Sequence, residues 1–206
     1  MIFGLAVLFV LVILPVFIIS PKVENDTLIE NRNDWLIYES NELGIYFEYP
    51  PDWSVSETDS PVPAVHILPS DISTEGVDNI THHTDITNVS VFPLGYPSES
   101  VLGQSRYSSK DYFPKRKEET VDFYLVNGDV WGTMINLEFI PKGWNTNGFI
   151  WSRTAISDHK TLCFDGEKEV PKTNCDPFMG DVIKHEGFIN SSERLIQEEI
   201  LRSINF

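Results

Sequence analysis

Hydrophobic positions along the chain fall into three regimes. Ile2–Ile19 (IFGLAVLFVLVILPVFII) is an unbroken apolar run, and as a helix it would span about 27 Å, close to a hydrocarbon core. The stretch 21–33 (PKVENDTLIENRN) is polar and without sustained period, as expected of a short stalk. Beyond it the period becomes two. Trp35–Tyr38 and Ile45–Tyr49 are rich in aromatic and branched residues and flank the turn-like Asn41-Glu42-Leu43-Gly44, which predicts an antiparallel hairpin closed by Pro50-Pro51. Further strands are predicted at Val62–Leu68, Asn88–Pro93, Val121–Val126, Val130–Ile140 and Phe149–Ile156. In the longest, Trp131, Thr133, Ile135, Leu137 and Phe139 share one face, with Asn136 and Glu138 on the other. Asn127-Gly128 between two of these runs is the strongest hairpin signal, because both positions tolerate positive φ.

Near the end of the chain the period lengthens to that of a helix. Asn190 is placed to cap it, Glu193 to complete a capping box, and Leu195, Ile196, Ile200, Leu201 and Ile204 form an apolar stripe. A weaker helical pattern covers Ser98–Tyr112. The combined expectation is an α+β fold, an antiparallel sheet of about six strands covered by one or two helices and preceded by an N-terminal transmembrane helix. The predicted organisation is 1–20 as a signal-anchor or signal peptide, 21–33 as stalk and 34–206 as one domain.

Two segments carry a family likeness. Glu42-Leu43-Gly44-Ile45-Tyr46-Phe47-Glu48-Tyr49-Pro50-Pro51-Asp52-Trp53 resembles the opening hairpin and Y-P-x-x-W of PsbP-like domains, the superfamily of an extrinsic photosystem II subunit and the Mog-type Ran-binding proteins. Ile200–Phe206 resembles that family's closing helix, with Asn205 in place of a basic residue. The resemblance implies an α/β/α sandwich of the exported prokaryotic type, in which the stretch near 157–187 is an insertion carrying the two cysteines. It implies no single function, since the superfamily hosts several. Without a family, Trp53 reads as a ring folded back over the sheet end, a core residue.

Charge and cysteines then fix the expected address. All 31 acidic and 15 basic side chains follow the apolar run, so the net charge of −16 belongs to the domain. Such a field repels phosphate backbones, which excludes nucleic acid as a partner. With 13 Phe, 7 Tyr and 5 Trp the chain has the means to build a core, which separates it from a disordered acidic tail. The leader lacks a basic n-region and an A-x-A site, favouring an uncleaved anchor over secretion by a cleaved signal peptide. Cys163 and Cys175 flank a loop rich in turn residues and read as a disulfide made in an oxidising compartment, with two unrelated thiols as the alternative. Four N-x-S/T sequons, at Asn25, Asn79, Asn88 and Asn190, are candidate glycosylation sites on an extracytoplasmic surface. The expected location is therefore a single-pass cell-membrane protein with its domain outside, or a secreted one.

Candidate chemistry is sparse. Asp71, Glu75, Asp78, His82, His83 and Asp85 cluster in one loop, and a divalent cation such as calcium or zinc would suit them, although no EF-hand or H-E-x-x-H spacing is present. A solvated loop is the competing reading, with no cofactor at all. His66 reads as a structural histidine within an apolar strand. His159 and His185 flank the cysteine loop beside Asp158 and Glu186, where a metal or acid/base site can be drawn. No G-x-S-x-G, S-x-x-K or P-loop occurs, which argues against an enzyme. Arg106, Lys110, Lys115, Arg116 and Lys117 reverse the local charge, with Tyr107, Tyr112 and Phe113 alongside, and suit anionic headgroups or an acidic envelope polymer. Glu118 and Glu119 would neutralise part of that patch. The leading expectation is a non-catalytic, membrane-anchored binding or scaffolding module whose partner is an envelope protein or polymer. A cation-binding surface domain and a hydrolase with an unrecognised site are the alternatives.

Overall fold

The alternation of Ile45, Phe47 and Tyr49 with Tyr46 and Glu48 gives the first hairpin one apolar face, and that face decides where the hairpin packs. A computed structural model describes residues 32–59, 62–72, 85–95 and 103–206. Strands β1 (Leu36–Ser40) and β2 (Ile45–Tyr49) pair antiparallel, Leu36 opposite Tyr49 and Ser40 opposite Ile45. Gly44 turns the chain at φ +59°, with a Cβ there only 3.0 Å from that of Lys142. The indole of Trp144 braces the turn by donating to the Leu43 carbonyl at 2.9 Å.

The central sheet contains β3 (Trp53–Thr58), β4 (Ala64–Pro69), β5 (Asn88–Phe92), β6 (Ser105–Tyr107), β7 (Glu118–Tyr124), β8 (Val130–Leu137) and β9 (Phe149–Arg153). Its seven strands run in the order β3-β4-β5-β9-β8-β7-β6, every neighbouring pair antiparallel. A second, three-stranded sheet follows, β11-β10-β12, from β10 (Ile156–Asp165), β11 (Lys168–Val170) and β12 (Val182–Ile189). Helix α1 (Ser191–Ser203) is the one α-helix among the described residues. After it the chain rejoins β2, with Asn205 and Tyr46 exchanging backbone bonds of 2.8 and 2.9 Å.

Alternation along the central strands separates two cores. The first hairpin and α1 cover one face, where Ile45, Phe47, Ile67, Val89, Val91, Ile135, Ile150, Ile200 and Leu201 are buried together. Phe92, Phe123, Leu125, Trp131, Trp151 and Ile156 form the second cluster. Trp53 is buried in the first, as core.

These observations correct the expected fold class. Among the described residues the protein is predominantly β, with twelve strands in three sheets and a single α-helix, in place of an α+β sandwich of about six strands under one or two helices. Strands β6 and β11 escaped the pattern because they are short and mostly exposed, and β3, β12 and the part of β10 beyond Ile156 because most of their residues are only partly buried or exposed. The helix expected over Ser98–Tyr112 is replaced, within its described part, by strand β6, which pairs with β7. Trp131 does not share a face with Ile135: an irregularity in the β7–β8 ladder beside Phe123 and Tyr124 shifts the register, and Trp131 joins the second cluster. The leader, 1–20, lies outside the described residues; among those described, no helix is long and apolar enough to cross a membrane.

Candidate functional site: a basic and aromatic groove

Where the end of the chain folds back onto β2, it leaves a groove of about 280 Å³ between the segment entering β7 and the exit of α1. Tyr112, Phe113, Pro114, Lys115, Arg116, Arg202 and Phe206 contribute to its walls. Local sequence explains the shape of the entering segment. Glu118, first residue of β7, accepts from the backbone N–H groups of Tyr112 at 2.8 Å and Phe113 at 3.1 Å, and from the Thr120 hydroxyl at 3.1 Å. Burial pushes its carboxyl up, and those bonds oppose the shift. Arg116 N–H returns to the Phe113 carbonyl at 2.8 Å, closing a turn that lifts Lys115 and Arg116 outward.

The floor is aromatic. Phe206 meets Phe113, Phe139 and Trp144 edge-on at 5.3, 5.3 and 5.5 Å between centroids. Arg116 lies 4.4 Å from the Phe139 ring centre and donates to the Phe206 backbone oxygen at 3.0 Å. Arg202 lies 5.7 Å from the Tyr112 ring centre. Three cations thus surround a depression floored by rings, on a protein whose net charge is −16.

The five cations adjacent in sequence are not one patch. Arg106 leaves on β6 and stacks over Tyr124 at 3.8 Å. Lys110 pairs with Glu198 of α1, and Lys117 sits 3.9 Å from Glu138. Lys115 and Arg116 alone reach the groove, joined by Arg202 from the far end of the chain, which also lies 3.9 Å from Glu199. Of the expected anchors, Tyr107 is exposed, whereas Tyr112 and Phe113 are walls with buried rings. Glu118 supports the backbone of the loop, a role that no spacing rule signals.

The remaining candidates separate clearly. Cys163 and Cys175 are joined as a disulfide, with Cα atoms 5.9 Å apart. With Asp181 they form the one group of three potential metal ligands among the described residues, and their sulfurs are already bonded to each other. Asp71 follows β4 and Asp85 precedes β5; Glu75, Asp78, His82 and His83 lie outside the described residues, as do Asn25 and Asn79. Asn88 is fully buried, its side-chain nitrogen donating to the Ile86 carbonyl at 3.1 Å, a position with no room for a glycan. Asn190 is exposed and caps α1, accepting from the N–H groups of Ser192 and Glu193. His66 is buried against Ser90, Nδ1 to Oγ 2.8 Å, and desolvation pulls its pKa down to about 4. His159 and His185, distant in sequence, meet at 2.9 Å.

No family model, curated protein or solved structure matches the chain. The groove therefore has to be interpreted from its own chemistry. Guanidinium groups over aromatic faces, with the Lys115 ammonium in the same groove, favour an anionic group carried on a flat or apolar body, and an open groove suits a segment of polymer better than an enclosed small molecule.

Proposed function

We propose that the protein is a non-catalytic binding module, held at a membrane by its apolar leader with the domain outside, that grips an acidic envelope polymer in the groove between Lys115, Arg116 and Arg202. The observation that carries it is that Lys115, Arg116 and Arg202 line one groove together with Tyr112, Phe113 and Phe206, against the sign of the whole molecule. A net acidic domain gains discrimination from such an arrangement: most polyanions are repelled, and a strand threading the groove meets local attraction. The Cys163–Cys175 disulfide supports an oxidising location. The hydroxyl–imidazole pair of Ser90 and His66 is bonded and buried within the central sheet, so that hydroxyl faces no open cleft.

The test is equilibrium binding of the detergent-solubilised full chain to polygalacturonate and to polyphosphate, which separates carboxylate from phosphate preference. Affinity is expected to fall with salt. Lys115→Ala with Arg202→Ala should weaken binding roughly thirty-fold, at about 1 kcal/mol per cation. Equal affinity in the double variant and the native protein, or no binding of either polymer at low salt, overturns the proposal.

A further inference from the structure

The residues that follow α1 border a second depression, on the side of the first hairpin. It measures about 230 Å³, and Glu39, Asn41, Tyr46, Lys142, Asn205 and Phe206 contribute to its lining. Asn205 and Phe206 also line the basic groove, so the two depressions adjoin along those residues. Strand pairing sets the polar groups of the second one in a row. Glu39 of β1 stands directly opposite Tyr46 of β2, and Tyr46 in turn pairs antiparallel with Asn205. Directly opposed residues project from the same face of a sheet and neighbouring strands lie about 4.8 Å apart, so carboxylate, phenol and carboxamide form a line about 10 Å long. Tyr38 and Phe47, on the other face, stack at 4.8 Å against the core, which turns this line to the surface.

The chemistry of this depression differs from that of the groove. Its charged side chains are Glu39 and Lys142, one of each sign, where the groove has three cations. The exposed Glu39 carboxylate offers acceptors alone. Asn205 Oδ1 already accepts from the Phe206 N–H at 2.9 Å, which leaves its amide nitrogen as the donor on offer. Lys142 Nζ donates to the Asn41 carbonyl at 3.2 Å and keeps further N–H groups. The Tyr46 hydroxyl is turned to Glu48 at 3.1 Å. A group that both donates and accepts satisfies such a set; a phosphate or carboxylate, which only accepts, does not.

We propose that the row of Glu39, Tyr46 and Asn205 binds a neutral sugar unit, and that the acidic polymer of the adjoining groove is a glycan in which uronic acid units alternate with neutral ones bearing hydroxyl and amide groups. The inference rests on the polymer reading of the groove. The acidic unit lies against Lys115, Arg116 and Arg202, and the neutral unit next to it lies along the row. Sugar hydroxyls donate to Glu39 and accept from Asn205 and Lys142, while Tyr46 between them supplies apolar surface for the ring. A homopolymer of anions would set a charge beside Glu39 whenever it set one beside Arg202. An unpaired or repelled group in a polar site is what separates ligands of like shape, so the row selects for the alternating glycan.

The test compares two probes of equal length on the detergent-solubilised full chain at one salt concentration: hyaluronan fragments, in which glucuronate alternates with N-acetylglucosamine, and polygalacturonate fragments. The alternating glycan is expected to bind about tenfold tighter despite its lower charge. Glu39→Ala should lower its affinity about tenfold and leave that of polygalacturonate undiminished. Lys115→Ala with Arg202→Ala should weaken both. Native protein that binds polygalacturonate as tightly as the alternating glycan overturns the inference whether or not any variant folds. So does Glu39→Ala that retains native affinity for the alternating glycan. In either case the reading of the groove stands if the Lys115 and Arg202 double variant loses polygalacturonate. A double variant that keeps native affinity for both glycans overturns that reading and this inference with it.

Discussion

The two ends of α1 are held to the same sheet by different physics. Its second half carries Ile200 and Leu201, both fully buried, into the apolar cluster of Phe47, Val91 and Ile135, with Ile204 just beyond. Its first half buries charge. Arg194 donates through Nη2 to the Thr133 hydroxyl at 2.6 Å, and that hydroxyl donates to Asp122 at 2.6 Å. On its other side Arg194 pairs with Glu198 at 3.4 Å. Gln197 accepts from Thr154 at 2.7 Å and donates to the backbone oxygens of Asn88, at 2.8 Å, and Arg153. Apolar contact tolerates sliding, whereas a hydrogen-bonded chain across β7, β8 and α1 admits one angle and one register. The apolar end therefore supplies adhesion and the polar end supplies position. Position matters to the groove, because Arg202 and the return strand through Phe206 both depart from α1.

The largest effect is expected where the polar end is broken. Arg194→Ala leaves the Thr133–Asp122 pair without its buried cation and Glu198 with Lys110 alone, and should cost about 3 kcal/mol. Leu201→Ala should cost a similar about 2–5 kcal/mol by opening a cavity. The comparison is sharpened by adding Asp122→Leu to Arg194→Met. Removing both charges should recover most of the loss in urea unfolding, whereas no second substitution at the polar end should rescue Leu201→Ala. Recovery in neither pair would show that the polar end contributes packing alone.

A pH effect of intermediate size comes from the same end. Ser90 donates to Asn88 at 2.8 Å and contacts His66, and the Asn88 carbonyl holds Gln197, so the histidine is the far terminus of the network on α1. Its folded pKa of about 4 lies below the ordinary histidine value because burial disfavours the imidazolium. Between about pH 6.5 and 4 the unfolded chain takes up a proton that the folded one refuses. Stability present above this window is thus lost as pH falls, by about 1.4 kcal/mol per pH unit from this group. His159, also lowered, adds loss in the same direction. Urea midpoints measured across the window should show a shallower slope in His66→Asn; an unchanged slope removes His66 from the account.

The sequence was legible where burial is apolar and the ladder regular. Ile45, Phe47, Val89 and Val91 announce their strands, and Asn190 announces the start of α1, because in each the side chain does locally what its type suggests. Legibility failed where long-range partners reverse the usual meaning of a residue. Arg194 and Gln197 read as the wet face of a helix, and only the distant Thr133, Thr154 and Asn88 make them buried. The five neighbouring cations read as one patch, until Glu198 and Glu138 draw two of them away and the chain end supplies Arg202. The His159–His185 contact depends on a bulge, which displaces one residue and leaves hydrophobic periodicity unchanged.

The smallest effect belongs to the cap, and it tests whether the polar end begins at Asn190 or at Arg194. The Asn190 side-chain oxygen accepts from Ser192 N–H at 3.0 Å and Glu193 N–H at 3.5 Å. Its nitrogen donates to Glu193 at 2.9 Å, and Glu193 also accepts from the Thr87 hydroxyl, linking the first turn to the residue before β5. Asn190→Ala removes the acceptor for two N–H groups that have no partner within the helix, and should cost about 1 kcal/mol. Asn190→Asp keeps the acceptor and adds a negative charge at the positive end of the helix, but it loses the bond to Glu193 and sets a second carboxylate beside it, so its stability should fall between those of Asn190→Ala and the native residue. If thermal unfolding shows Ala and Asp to be equivalent, the first turn is held by Glu193 and Thr87 alone. The position of α1 would then be set one turn later, where Arg194 reaches the sheet.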